Sequence, residues 1–113
     1  MTRGAAAEAL AAQFLQERGL DIIARNYRCR GGEIDLIARD GSTLVFVEVR
    51  LRSGNAYGDA AASITAGKRR RLAFAARHYL GRLKAEPPCR FDAILLDALA
   101  SERIEWLRNV VEE

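Results

Sequence analysis

The chain has 113 residues, of which half are hydrophobic and 29% are charged, and its formal net charge is +3. This length supports one domain with its own core, so residues 1–113 are interpreted as a single globular domain. No apolar run reaches transmembrane length and no signal-peptide pattern is present, so we expect a cytoplasmic protein without a membrane partner.

The first helix is predicted from about Arg3 to Arg18, where alanine, leucine, glutamate and glutamine predominate. Gly19 is placed to end it, because glycine accepts the left-handed conformation that follows many helices. Helical spacing predicts a buried stripe of Ala7, Leu10, Ala11 and Phe14. Glu8 lies one step from this stripe, so on its own it is interpreted as a solvated acid near the helix N-terminus.

Three strands are predicted next, the first from Leu20 to Cys29. The second and third, Glu33–Ala38 and Thr43–Arg50, form a hairpin that turns at Asp40-Gly41, a dipeptide that tolerates positive φ. Apolar residues occupy both parities of the hairpin strands. This pattern is typical of strands buried on both faces of a sheet.

Charged side chains inside the hairpin are the strongest functional signal in the chain. Side chains alternate along a strand, so Glu48 and Arg50 share a face, and pairing of odd with even positions places Asp35 on that face too. A four-residue loop would set Asp35 opposite Glu48, and a two-residue loop would set it one pair away. Two carboxylates this close repel unless a cation lies between them, and such an oxygen-rich site suits Mg²⁺ or Mn²⁺.

A second helix is predicted from about Ala66 to Lys84, with Thr65 as its N-cap. Lys68 lies one turn before Leu72 on the apolar stripe of this helix, so it is the cation expected to point inward. The alternative is that only its aliphatic stem packs, while the ammonium stays in water. The predicted stripe consists of Leu72, Ala75, Ala76, Tyr79 and Leu83.

Two more strands complete the pattern. Pro87-Pro88 breaks the helix, Arg90–Asp97 follows as a buried strand, and Ile104–Asn109 is predicted at the edge of the sheet. Asp92 opens its strand and could face the site, although an acid of a strand-entry turn is favoured. The order of helix, three strands, helix and two strands predicts a mixed sheet covered by helices on its faces.

Basic residues cluster at positions 25–30, 50–52 and 68–71. Clusters of this kind favour an anionic partner, with nucleic acid first, although an arginine-rich surface without a partner is an equal alternative on charge alone. Arg69, Arg70 and Arg71 lie on other faces of their helix than Lys68. His78 is expected to face solvent without a chemical role.

Several of these residues together resemble the YraN-like family of small bacterial proteins, which is related to archaeal Holliday-junction resolvases within the PD-(D/E)xK nuclease superfamily. The residues that carry the resemblance are Glu8, Gly32–Ala38, Phe46–Arg50, Lys68 and Arg90–Asp92. The match spans most of the chain, and the pair GEIDLIA and FVEV is specific, whereas the bare superfamily pattern is weak.

The resemblance implies an α/β fold with a restriction-endonuclease-like αβββαβ core, a mixed central sheet flanked by helices and an active site on that sheet. It implies that Asp35 and Glu48 bind Mg²⁺ or Mn²⁺, with the Val49 carbonyl as a further ligand. It also implies that Glu8 joins the site. The expected function is metal-dependent hydrolysis of DNA phosphodiester bonds.

One position departs from the family pattern, because Glu48-Val49-Arg50 stands where the family has E-x-K. Arginine can bind phosphate and stabilise its charge, but its pKa prevents proton transfer. We therefore expect Arg50 or Lys68 to stabilise the charge that grows on the phosphate, with Lys68 as the hypothetical substitute for the missing lysine.

Four arginines are expected to bind the flanking nucleic-acid backbone in a salt-dependent and largely sequence-independent way: Arg52, Arg69, Arg70 and Arg71. Tyr57, in a glycine-rich loop at 53–59, could stack on an unpaired base or pack against its own loop. Resolvase kinship suggests branched DNA and a homodimer, but linear DNA, single strands and RNA stay open.

Two other interpretations stay open. In the first, Arg50 marks lost chemistry and the domain is a binding module that holds nucleic acid without a metal. In the second, Asp35, Glu48 and Arg50 form a buried structural ion-pair cluster in a protein that meets only other proteins. Buried clusters of this kind seldom stabilise a fold relative to apolar replacements, which ranks this interpretation last.

Overall fold

The computed structural model describes residues 3–51, 66–97 and 104–110. Within these ranges the chain forms two helices, α1 (Arg3–Glu17) and α2 (Ala66–Leu80), and five strands. The strands are β1 (Asp21–Cys29), β2 (Gly32–Asp40), β3 (Thr43–Leu51), β4 (Cys89–Leu96) and β5 (Ile104–Leu107). The predicted order of elements is confirmed. Neither helix is both long and apolar enough to cross a membrane.

The five strands form one mixed sheet in the order β1-β2-β3-β4-β5. Neighbouring strands are antiparallel except β3 and β4, which are parallel. A parallel pair needs a crossover connection, and α2 lies in that connection. The protein therefore has a mixed α/β fold that is compatible with a restriction-endonuclease-like core.

The two helices cover opposite faces of the sheet. On one face α1 packs on a cluster that includes Leu36, Val45 and Val47. On the other face Leu72 and neighbouring residues of α2 pack on a cluster that includes Phe46. Because β2 and β3 are covered on both faces, their apolar residues occupy both parities, as the sequence predicted.

The buried stripe of α1 is rotated from the predicted one. The buried residues are Ala7, Ala11, Ala12 and Leu15, which confirms Ala7 and Ala11 of the predicted stripe, whereas Leu10 and Phe14 are only partly buried. The stripe thus lies in line with Glu8, so this acid is on the side of α1 that faces the sheet. The end of the helix is as predicted: Gly19 has φ +91°, and the N–H of Leu20 donates to the Leu15 carbonyl in a Schellman-type closure.

Helix α2 ends at Leu80, four residues before the predicted Lys84. The N–H of Gly81 still donates to the Arg77 carbonyl, but the next two bonds span only three residues, which tightens the chain into turns. Leu83 is consequently 37% exposed rather than part of the buried stripe. The predicted N-cap, Thr65, lies outside the described residues.

Asp92 is fully buried inside β4, so its interpretation as an acid of a strand-entry turn is wrong. Its carboxylate accepts hydrogen bonds from Arg90 Nε at 3.2 Å, Trp106 Nε1 at 3.0 Å and the Asn109 backbone N–H at 2.9 Å. These bonds tie the segment after β4 to the sheet. They occupy the carboxylate fully, so Asp92 has a structural role.

Candidate active site

The β2–β3 hairpin sets the register of the candidate site. Its loop is Gly41-Ser42, because Asp40 pairs with Thr43, and Gly41 has φ +61°. The turn lies one residue later than Asp40-Gly41, so the prediction that a two-residue loop offsets Asp35 by one pair is wrong. Continuing the recorded register by one step from Leu36 and Val47 sets Asp35 opposite Glu48.

The carboxylate of Asp35 occupies the gap where the β2–β3 ladder stops. The pairs run from Asp40 with Thr43 to Leu36 with Val47, and beyond them Asp35 Oδ2 accepts the backbone N–H of Val49 at 2.8 Å. A side chain thus replaces a main-chain partner on β2. Since the N–H and C=O of one strand residue point to the same side, the Val49 carbonyl faces this gap as well.

Strand alternation breaks at the same place in both β1 and β2. Ile34 and Ile37 are three residues apart, yet both lie in the cluster on the α2 face. On β1, Ala24 and Tyr27 do the same, and Asn26 between them has φ 52°. Asp35 lies within this paired irregularity, at the point where its carboxylate bonds to β3.

Asp35 and Glu48 form a carboxyl pair close enough for each to shift the pKa of the other. Burial, followed by the negative charge of Glu48, raises the pKa of Asp35 from 3.8 to about 7. Burial also raises the pKa of Glu48, although the hydrogen bond from Asp35 and the charge of Arg50 oppose this. The Asp35 carboxyl therefore keeps its proton up to about neutral pH, in the place where a cation would relieve the same repulsion.

Glu8 on α1 is the third acid of the neighbourhood. Partial burial raises its pKa, and the charge of Asp35 adds to this effect, while a hydrogen bond with the Asn26 side chain opposes it. Glu8 is thus half-buried and close enough to Asp35 for their charges to interact. Within the described ranges, however, no group of three or more His, Cys, Asp and Glu side chains is arranged to hold a metal ion.

Lys68 on α2 points inward, as predicted. Its Nζ lies 3.5 Å from Glu48 Oε1, and the side chain is 31% exposed. Arg50 is half-buried on β3, close enough to lower the pKa of Glu48. Both cations expected to act at the site are therefore beside the acid pair.

A shallow cleft of about 340 Å³ lies where the start of β2 meets α2, lined by Arg28, Cys29, Gly32, Glu33 and Arg71. Arg71 lowers the pKa of Glu48, and Glu33 raises the pKa of all three buried or half-buried acids. Arg28 Nε lies 3.4 Å from Glu33 Oε2 at the exposed rim. Of the predicted backbone-binding arginines, Arg71 thus lies nearest the site.

The other predicted binding residues are distributed differently. Arg70 is exposed on α2, and Arg69 is half-buried on the same helix. Arg52 and Tyr57 lie outside the described residues. Sequence reasoning missed Asn26 and Glu33, although the interruption of β1 by an asparagine was a usable signal for the first.

The donor set fits a small hard cation. Two carboxylates and one facing carbonyl are oxygen ligands, and Mg²⁺ commonly takes one or two protein carboxylates while water and substrate phosphate fill its other positions. Asp35 and Glu48 supply the two carboxylates, and Val49 supplies the carbonyl. A complete protein cage is not required for this ion.

Comparison with known proteins places these residues in a family. The family model described as "Uncharacterised protein family UPF0102" matches residues 7–96. A UPF0102 protein of Nitrosomonas europaea is 53% identical over 98% of this chain and 94% of its own length. Another, of Nitrosospira multiformis, is 54% identical over 97% and 92%. A third, of Cupriavidus taiwanensis, is 56% identical over 97% and 82%. The chain therefore belongs to the UPF0102 family, which confirms the YraN-like resemblance of its motifs.

Proposed function

We propose that this protein is a metal-dependent endonuclease of the PD-(D/E)xK type that hydrolyses phosphodiester bonds in DNA. The observation that carries the proposal is the close pair of Asp35 and Glu48 with Lys68 Nζ 3.5 Å from Glu48. A strongly raised carboxyl pKa, here that of Asp35, with a specific charge partner beside it is typical of functional sites. Two buried acids side by side otherwise lower the stability of a fold.

In this proposal Asp35, Glu48 and the Val49 carbonyl hold Mg²⁺ or Mn²⁺. When bound, such an ion lowers the pKa of its water and polarises a phosphoryl oxygen. The protein fixes the donors beforehand, because the Val49 N–H holds the Asp35 carboxylate in one orientation. Glu8 tunes the site through its charge and is itself held by Asn26.

Lys68 and Arg50 supply the positive charge. Arg50 replaces the motif lysine on β3, and Lys68 brings an ammonium to the same carboxylate from the neighbouring helix. A cation fixed in advance beside the developing phosphate charge is commonly worth a few kcal/mol to the transition state. Lys68 thus takes the role of the family lysine, and Arg50 binds phosphate.

DNA is the proposed substrate because the cleft beside the acids is basic. Arg71 lines it, and Arg28 lies at its rim. Contacts of this kind are made to the phosphate backbone and carry no sequence information. The resemblance of the motifs to those of Holliday-junction resolvases leads us to propose branched DNA and a homodimer, with the β5 edge, Ile104–Leu107, as the dimer surface.

The second candidate is a nucleic-acid-binding module on the same fold. Arg50 at the motif position favours it, because arginine cannot take part in proton transfer. This candidate predicts binding that needs no metal and survives Asp35→Asn. The nuclease proposal predicts cleavage that needs both a metal ion and the Asp35 carboxylate.

The deciding experiment is a cleavage assay on labelled four-way junction, flap, linear duplex and single-stranded DNA, each with Mg²⁺, Mn²⁺ or EDTA. Asp35→Asn is the test variant, because an amide keeps the shape and the Val49 hydrogen bond but not the charge. Asp21→Asn is the matched control, since Asp21 is an exposed acid of β1 that pairs with Arg39 at the other end of the strand.

Cutting that requires a divalent ion, persists in Asp21→Asn and disappears in Asp35→Asn would establish the nuclease. Binding without cutting, unchanged by EDTA or by Asp35→Asn, would establish the binding module instead. Equal activity of Asp35→Asn and the parent would refute the assignment of the acid pair.

A further inference from the structure

The exposed face of α2 carries an aromatic residue that the site does not use. Phe74 is 51% exposed, the largest exposed fraction among the large hydrophobic residues of the described ranges. A helical residue has its surface neighbours three and four positions away on either side. For Phe74 these are Arg70, Arg71, Arg77 and His78, and all four are exposed. An apolar ring thus lies at the centre of a basic surface.

The ring is held in place from the side of the β1–β2 turn. Gly31 has φ +97°, and an added Cβ there would meet the Phe74 ring at 3.2 Å. The turn therefore packs against one edge of the ring and leaves half of the side chain exposed. The turn also leads directly into Gly32 and Glu33 of the cleft beside the acids.

The charges of α2 are unfavourable for the helix itself. Lys68, Arg69, Arg70 and Arg71 occupy its first two turns, and the helix contains no Asp or Glu. Cations near a helix N-terminus oppose the helix dipole, which favours anions there. This arrangement lowers the stability of the free protein and is relieved by a bound anion.

The surroundings of Phe74 disfavour a protein partner. An apolar protein patch laid on the ring would remove several guanidinium groups from water without pairing them. A second copy in a two-fold interface would bring this basic face against itself. A nucleic acid offers phosphates to the arginines and a flat base to the ring. A base exposes its face only when it is unpaired.

We propose that Phe74 is a stacking platform for an unpaired base of a nucleic acid whose phosphates contact Arg70, Arg71 and Arg77. Phe74 follows Lys68 by six residues, which is about 9 Å along the helix axis and about 120° around it. A strand whose scissile phosphate meets Glu48 would reach the ring by curving around α2. This placement rests on the proposed nuclease function, whereas the binding of single strands does not.

Binding is measured by fluorescence anisotropy with a labelled oligothymidine and with a labelled duplex of equal length, both in EDTA so that cleavage plays no part. The parent protein should bind the single strand more tightly. Phe74→Ala should weaken single-strand binding by about 5- to 100-fold and leave duplex binding within about twofold. Ile23→Ala, at an apolar residue of β1 that is 37% exposed, is the matched control and should change neither.

Further variants distinguish base stacking from a general apolar contact. Phe74→Leu keeps an apolar side chain without a π-face and should behave as Phe74→Ala. Phe74→Trp should retain binding, and its added emission should be quenched by oligothymidine beyond any change seen for Trp106 in the parent. Sedimentation of the parent and of Phe74→Ala measures self-association.

The platform would be overturned if Phe74→Ala weakened single-strand and duplex binding equally, or if it weakened neither. It would also be overturned if Phe74→Leu bound oligothymidine as tightly as the parent. A dimer that becomes a monomer in Phe74→Ala, with unchanged oligothymidine binding, would assign the ring to an interface between copies. The two proposals fail separately. Phe74-dependent binding without cleavage would refute only the nuclease, and cleavage without Phe74 dependence would refute only the platform.

Discussion

The carboxylate of Asp35 accepts the backbone N–H of Val49 at the point where β2 stops pairing with β3. One side chain thus takes the place of a ladder hydrogen bond, close enough to Glu48 for the two carboxyl groups to interact. The acid pair consequently lies where β2 and β3 stop pairing. Both residues remain central to the predictions that follow.

The pKa of Asp35 predicts how stability depends on pH. The native carboxyl keeps its proton until about pH 7, whereas the unfolded one loses it near the ordinary value of 3.8. Between these values the native state binds more protons, so the free energy of unfolding should fall as pH rises and level off above pH 7. Urea unfolding of the parent and of Asp35→Asn from pH 4 to 8 tests this. The difference should grow over that window, and a constant difference would contradict it.

Asp35→Asn should raise stability while it removes activity. The amide can keep the Val49 bond and donate to Glu48 without a second negative charge. At pH 8 we expect a gain of about 2 to 4 kcal/mol in the free energy of unfolding. A structural ion-pair cluster predicts the opposite sign, and the matching change Glu48→Gln would then be strongly destabilising without any loss of binding. Denaturant titration at fixed pH distinguishes them.

Lys68→Ala should lower the rate of cleavage. The Lys68 ammonium lies beside Glu48 Oε1, and loss of such a preorganised charge commonly costs about 10²- to 10³-fold in kcat. Arg70→Ala, on the exposed face of the same helix, should weaken binding and reduce its salt dependence with little change in kcat. Single-turnover kinetics separate the two effects. A Lys68→Ala protein as active as the parent would leave Arg50 as the cation of the site.

Gly32→Ala should destabilise the domain by about 2 to 4 kcal/mol. An added Cβ would collide with the Arg71 carbonyl and would lie 3.2 Å from Ala75 Cβ, so β2 and α2 would have to separate. Gly67→Ala in the same helix meets only the flexible end of Arg70 at 3.9 Å and should stabilise slightly through helix propensity. Thermal unfolding measures both, and equal effects would contradict the close approach at Gly32.

Asp92→Ala should be among the most destabilising changes in the chain. It would leave Arg90, the Trp106 indole and the Asn109 N–H without their shared acceptor. Removing one partner of a buried charged group typically costs about 3 to 5 kcal/mol. Trp106 emission reports the local change, and denaturant unfolding gives the stability. An Asp92→Ala protein of normal stability would contradict the role assigned to this carboxylate.

Local sequence was sufficient for most of the fold. The burial of β2 and β3 on both faces, the Gly19 helix end and the order of helices and strands follow from propensities and patterns that act over a few residues. The same is true of the inward position of Lys68, because helical spacing from Leu72 fixes it. The approximate meeting of Asp35 and Glu48 also followed from parity alone.

Tertiary structure decided what depends on residues far apart in the chain. The shift of the turn to Gly41-Ser42 and the break of alternation at Asp35 required β1 and β3 to be present, because register is a property of paired strands. The sequence around Asp92 indicated an ordinary turn acid, because its hydrogen bonds to Trp106 and Asn109 come from a distant part of the chain. The basic residues around Phe74 could be read from the sequence, but the exposure of the Phe74 side chain depended on which face of α2 the sheet buries.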